Sequence, residues 1–353
     1  MKRIHLALAS LGAVMFIAGC GGGEYSTTSS GTTIPTAAVQ ITPTNAPSVA
    51  KGAVTPAQSM VKSGGGQAGV VGVVAQTSGR SRTVLDISLA EFNRARGLKF
   101  SPAVAGAIAS FSLNCTTSGT VTVSFQDTDN STTLTVGDVL TMAFNNCVEP
   151  TTATENGSTT NGSMTFAITS ANGPLDLGAA AGTPGAPFNA SFTLTFSYFT
   201  SKDNVTNLTD AIIGDFSFST SDDGTNTTGT MSGTSLRMDS SVDGAFLMTY
   251  YSISFTEANV PSTTTPYSFS VNMTIASTVA YGSVTVTTPT PFTGQGNGDP
   301  TAGVMVITGA KNGTNNTTLT LTANIDGIHV GMVVDDGSGS GPQPLAATTW
   351  TAI

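Results

Sequence analysis

The chain has 353 residues, enough for one large or two ordinary domains, and a formal charge of −9. Only 9% of its residues are charged, against ~25% in common soluble chains, so Thr, Ser, Asn and Gly supply the polarity. The cations cluster at Arg80, Arg82, Arg94, Arg96 and Lys99, and beyond these only Lys202, Arg237 and Lys311 remain; a body so poor in basic residues excludes electrostatic nucleic-acid binding, which needs basic stripes.

The N-terminus sets Lys2 and Arg3 before an apolar stretch from Ile4 to Ile17 and a small-residue cleavage site. That is the plan of a secretory signal, and the stretch is too short to span a bilayer as a helix. Its last residues, Ile17-Ala18-Gly19-Cys20, resemble the lipobox of bacterial lipoproteins, with Ile17 where Leu is usual. The resemblance implies that residues 1–19 are removed and that Cys20 becomes the mature N-terminus, lipidated on sulfur and acylated, as with palmitate. It further implies an outer-membrane destination in a Gram-negative bacterium, because Gly21 stands where Asp would favour inner-membrane retention. Whether the body faces periplasm or medium stays open. Loss of Lys2 and Arg3 leaves 10 basic against 21 acidic residues, a side-chain charge of −11.

Residues 20–66 are Gly, Ser, Thr, Pro and Ala with almost no large apolar side chains. They read as a flexible tether ahead of a single β-rich domain over 67–353. A G-x-G-x-x-G match at Gly64, Gly66 and Gly69 has neither strand before it nor helix after it and carries no nucleotide-binding meaning. Residues 83–98 are expected to be a helix: Leu85, Leu89 and Phe92 recur at helical spacing, Arg94 and Arg96 complement the last turn, and Gly97 is a stop.

Next come Cys115 and Cys147, which in an exported chain with Cys20 given to lipid are left to pair as a disulfide. Between them, Val121, Val123 and Phe125 mirror Phe144, Met142 and Leu140, which predicts a hairpin whose register sets Asp127 opposite Asp138. The connecting residues 127–138 resemble the calcium loop of EF-hand and dockerin proteins. By that resemblance Asp127, Asp129, Ser131, Thr133 (through its carbonyl), Thr135 and Asp138 would be the ligands of a calcium ion. Thr132 replaces the turn Gly, Asp138 replaces the bidentate Glu, and strands flank the loop where helices are usual.

Strict alternation continues to the C-terminus: Met164/Phe166/Ile168, Phe192/Leu194/Phe196/Tyr198, Tyr267/Phe269/Val271/Met273/Ile275, Leu319/Leu321 and Ile328/Val330/Met332/Val334. Turn pairs Asn161-Gly162, Asn172-Gly173, Asp223-Gly224, Asp243-Gly244, Asn312-Gly313, Asp326-Gly327 and Asp336-Gly337 separate these runs and suit sequential hairpins. The fold class is therefore all-β: a large antiparallel meander, about a dozen strands, curling into a barrel, half-barrel or sandwich, with one N-terminal helix near 83–98. A transmembrane barrel also alternates, but clear aromatic girdles are missing here.

No catalytic residues are identified. His329 is the sole histidine after the signal, on an expected strand, and paired acids such as Asp335/Asp336 precede turn glycines. The reading is a non-enzymatic envelope lipoprotein with a structural, adhesive or binding role. Its membrane partner is reached through the N-terminal lipid; any protein, glycan or lipid partner stays unidentified. The alternatives are a carrier of hydrophobic ligands or lipids, with Trp350 and other aromatics lining a groove, and a glycan-active enzyme.

Overall fold

The computed structural model describes residues 31–61, 108–131, 135–149, 157–172, 188–223, 225–258, 266–295 and 298–353. The strands are β1 (Ile108–Asn114), β2 (Ser118–Gln126), β3 (Val139–Glu149), β4 (Ser158–Asn172) and β5 (Phe188–Asp203). Then follow β6 (Thr209–Asp222), β7 (Asn226–Ser240), β8 (Gly244–Ala258), β9 (Pro266–Ser277) and β10 (Gly282–Gln295). The last are β11 (Ala302–Asn312), β12 (Asn315–Ala323), β13 (His329–Asp335), β14 (Gln343–Pro344) and β15 (Thr348–Thr349). They form one 15-stranded sheet in sequence order from β1 to β14, each strand antiparallel to the last, with β15 returning to β13. The sheet is an open, curled meander.

Alternation decides its two faces. Val123, Phe125, Met142, Phe166, Leu194, Phe218, Val271, Ile307, Leu321 and Val334 all point to one side and are buried. Rings meet across neighbouring strands, Phe166 to Phe192 at 6.0 Å and Phe192 to Phe218 at 5.0 Å, pairs worth ~0.5–1.5 kcal/mol each beyond their area. The opposite face is hydroxylic. One cross-strand row runs from Ser110 and Ser124 through Thr141, Thr165 and Thr195 to Ser235, Thr249 and Thr274, with Asp215 as its one carboxylate. Neighbouring hydroxyls bond along it, Ser124 to Ser110 at 3.1 Å and Thr141 with Thr165 at 3.0 Å. An apolar inner face and a hydroxylic outer one invert the pattern of a transmembrane barrel.

Long strands fold over where their ladders shift register. Register shifts fall between Phe144 and Cys147 on β3, Asn161 and Ser163 on β4, Phe196 and Phe199 on β5, and Thr249 and Ser252 on β8. At these bulges Asn146, Tyr198 and Tyr250 take positive φ of 47° each, and a bulged strand bends. Two sequence expectations change here. Asn161-Gly162 is a bulge within β4 rather than a hairpin turn, because Gly162 (φ 93°) must pass against the Tyr198 carbonyl, where a Cβ would collide. Tyr198 leaves the alternation and is exposed, because the bulge advances the strand by one residue and gives the inner position to Phe199.

The helix among the described residues, α1 (Ala46–Val61), lies where a tether was expected. Ala46, Val49, Ala50, Ala53 and Val54 form its buried face, at helical spacing. Thr42 and Asn45 bond reciprocally at its start: the Asn45 Oδ1 accepts from the Thr42 amide at 2.8 Å, the Thr42 hydroxyl from the Asn45 amide at 3.4 Å, and the Thr42 carbonyl from the Ala46 amide at 3.0 Å. Small side chains are required because α1 passes close to the β9–β10 turn, where a Cβ on Gly52 would lie 2.8 Å from that of Ala280. Ahead of the helix, Ala37–Ile41 wedges into the sheet where β10 and β11 part. The Val39 amide donates to the Ser283 carbonyl at 3.0 Å, and the Ala310 amide to the Val39 carbonyl at 2.7 Å. Residues 36–61 thus belong to the fold, not to a tether. The helix expected over 83–98 lies outside the described residues.

Gly162→Ala is expected to lower unfolding free energy by about 1–3 kcal/mol, since the new Cβ meets backbone at a positive φ. Tyr250→Gly should change it by less than ~1 kcal/mol: Tyr250 is 81% exposed, and relief of its left-handed backbone offsets the added chain entropy. Urea midpoints of the two variants check the contrast.

Candidate metal centre

The β2–β3 hairpin forms in the register read from sequence, with Val121 opposite Phe144, Val123 opposite Met142 and Phe125 opposite Leu140. Its ladder ends at Gln126–Val139, so Asp127 and Asp138 flank the mouth of the connecting loop. The loop is tied sideways to β4: the Gly137 amide donates to the Ile168 carbonyl at 2.9 Å and the Ile168 amide to the Asp138 carbonyl at 3.0 Å. That lateral pairing buries the first and last acids. Asp127 and Asp138 are fully buried, whereas Asp129 is exposed.

Carboxylate oxygens of Asp127, Asp129 and Asp138 lie within 4.8 Å of one another. Oxygens sharing a calcium ion at 2.3–2.6 Å are at most ~5 Å apart, so the spacing fits calcium. Asp138 accepts from the Thr128 amide (2.8 Å) and hydroxyl (2.9 Å) through Oδ1, and from the Thr135 amide (2.7 Å) and hydroxyl (2.9 Å) through Oδ2. The Thr135 hydroxyl is also 2.9 Å from Asp129 Oδ2, yet it has one proton and can donate to only one of the two carboxylates. The Ser131 amide is likewise shared between Asp127 Oδ1 at 3.2 Å and Asp129 Oδ1 at 2.9 Å. The Asp129 carboxyl is held below its ordinary pKa, first by the Ser131 side chain, then by Thr135 and the Ser131 amide. A cation would join this arrangement by drawing the two threonine hydroxyls off Asp138 and freeing its lone pairs.

Of the ligands suggested by sequence, Asp127, Asp129 and Asp138 converge. Ser131 contributes its amide and its side chain and Thr135 its hydroxyl, while Thr133 lies outside the described residues, as does Cys20, the expected lipidation site. Thr128, which reasoning from loop spacing passes over, is the residue that closes the hairpin mouth onto Asp138; its place one step beyond Asp127 was the available signal. At the other end of the hairpin Cys115 and Cys147 are bonded, Cα to Cα 5.5 Å. His329 is elsewhere, on β13, with Nδ1 2.6 Å from Asp326 Oδ2. Comparison with protein-family models, with curated proteins and with solved structures finds no match.

Replacing Cys115 and Cys147 together by Ser is expected to cost ~3–4 kcal/mol in the chain-entropy model, for a loop of sequence separation 32, with the sheet retained. Urea denaturation followed by far-UV circular dichroism reads both effects.

Proposed function

We propose that this protein is a non-enzymatic cell-envelope lipoprotein. Lipid on Cys20 would hold it at the outer membrane of a Gram-negative bacterium, and its β body would serve a structural, adhesive or binding role. The observation that carries the reading is a lipobox-type signal joined to a body whose outer face is rows of Ser and Thr. A hydroxylic sheet face offers nothing to hydrocarbon, so attachment falls to the lipid. The same face carries few charges, which suits contact with an uncharged, hydrogen-bonding partner better than with an ionic one. Among the described residues, no helix is long and apolar enough to cross a membrane. A hydrophobic-ligand carrier would need apolar side chains lining an open cleft; the burial of Phe166, Leu194, Val271 and Ile307 weighs against it.

Cys20→Ser should move the protein from the membrane to the soluble fraction. Retention in membranes after a carbonate wash would instead mean that the β body inserts, and would overturn the reading.

The three converging carboxylates support a second element, a calcium ion at the tip of the β2–β3 hairpin. Ligand binding to the native state alone raises stability by mass action. Millimolar calcium is therefore expected to raise the melting temperature and EGTA to reverse it, with Asp127→Ala/Asp138→Ala abolishing the response. A melting curve indifferent to both reagents sinks the calcium assignment and leaves the lipoprotein reading untouched.

A further inference from the structure

The C-terminal strands are fastened unlike the rest of the sheet. β14 and β15 have two residues each and pair β13 at Val333–Pro344, Val334–Gln343, His329–Thr349 and Val330–Thr348. Two further amide bonds join them, Leu345 to the Met332 carbonyl at 2.9 Å and Trp350 to the Ile328 carbonyl at 3.1 Å. The chain arrives through Gly337, Gly339 and Gly341, at φ of 70°, 86° and 79°, and a Cβ at either of the last two would meet open space. Within Pro342–Ile353 only Trp350 and Ile353 are buried.

Trp350 packs edge-on to Phe292 at 5.5 Å, but its indole N–H is buried without an acceptor among the described residues. An unpaired buried N–H offsets part of what ring burial contributes, and withdrawal into water restores that hydrogen bond. β13 itself does not depend on this cover. It is laddered to β12 from Ala323–Val330 to Thr318–Asp335, and its Val330, Met332 and Val334 side chains are core. Its start is fixed by Asp326, whose Oδ1 accepts from the Ile328 and His329 amides at 2.9 Å each.

We propose that Pro342–Ile353 is a detachable strap over the β13 edge. Turning about Gly337–Gly341, it uncovers that edge for strand addition by an extended polypeptide segment bearing an aromatic side chain. The strap displays the chemistry of its replacement: an uncharged segment paired as strand at Gln343–Pro344 and Thr348–Thr349, an apolar residue at the Leu345 position, and an aromatic anchor against Phe292 where the chain turns into the short 3-10 helix Trp350–Ala352. Strand addition of this kind draws affinity from main-chain hydrogen bonds and specificity from alternate side chains.

The test uses the full chain. Trp350 is its one tryptophan, so emission reports the strap directly. In native buffer the Leu345 and Trp350 amides are expected to exchange at least tenfold faster than those of β12. Sub-denaturing urea should red-shift emission before strand circular dichroism falls. Gly339→Ala/Gly341→Ala strains the closed hinge, whose φ values are positive at both sites, and should speed strap exchange about tenfold more while sparing β12. A labelled peptide of residues 343–353 should bind this variant about tenfold more tightly than wild type, because the competent fraction rises by that factor. The proposal is overturned if strap and β12 amides lose protection together in the wild type. It is equally overturned if the variant's strap exchanges fast but the peptide does not bind. Should the variant misfold, the wild-type exchange comparison alone decides.

Discussion

A sheet of this width with one apolar face is stable in water only if that face is turned onto itself, and everything else follows from how the turning is done. Twist alone curls a sheet gradually. Here register shifts in the β3–β4, β4–β5, β5–β6, β6–β7 and β8–β9 ladders concentrate the bend within strands that would otherwise run straight. Left-handed backbone at Tyr198 and Tyr250, each costing about 1–2 kcal/mol, is tolerated because many inner-face side chains are buried in exchange. The β10–β11 ladder is open at one end, and residues 37–41 fill that gap before α1 lays its small residues against the core.

An open sheet has two edges, and this one treats them differently. Cys115 sits between β1 and β2 and is bonded to Cys147 on β3, so one covalent link ties the first three strands together. The carboxylate loop draws in the far end of the same hairpin through Thr128 and Thr135. At the other edge no covalent bond holds the cover. β14 and β15 rely on short backbone pairing and on the buried side chains of Trp350 and Ile353, the indole N–H having no acceptor among the described residues. Exposed edges invite pairing with other chains, so the two ends of the sheet differ in kind: strands cross-linked by a disulfide at one end, an edge covered by two short strands at the other.

The sequence made the sheet legible because period-2 alternation and hairpin register act locally: Val121, Val123 and Phe125 could be matched to their partners by symmetry about the loop. The same symmetry brought Asp127 to Asp138, and odd-position spacing added Asp129. What escaped depends on distant partners. Asn161-Gly162 has the residues of a turn, and only the approach of the Tyr198 carbonyl makes it a bulge. The face Ala46, Val49, Ala50, Ala53 and Val54 has perfect helical spacing, but small side chains at low local hydrophobicity look like linker. Their size is dictated by close neighbours such as Ala280, which composition cannot show.

The entry of the N-terminal segment bears on anchoring. Among the described residues, the N-terminal segment is held from Thr32 onward. There the Arg237 guanidinium, paired with Asp239 at 3.0 Å, donates to the Thr32 carbonyl at 2.8 Å. Just beyond, Ala38 bridges Ser283 in parallel fashion, so the segment is held on both sides, by β10 and by β11. Hydrogen bonds flanking a segment on two sides must break together when it is drawn along its own axis, whereas an edge strand peels one bond at a time. If Cys20 carries the lipid, a segment held between two strands and followed by a helix with its inner face on the core would pass a load reaching it to the core and not to an edge strand.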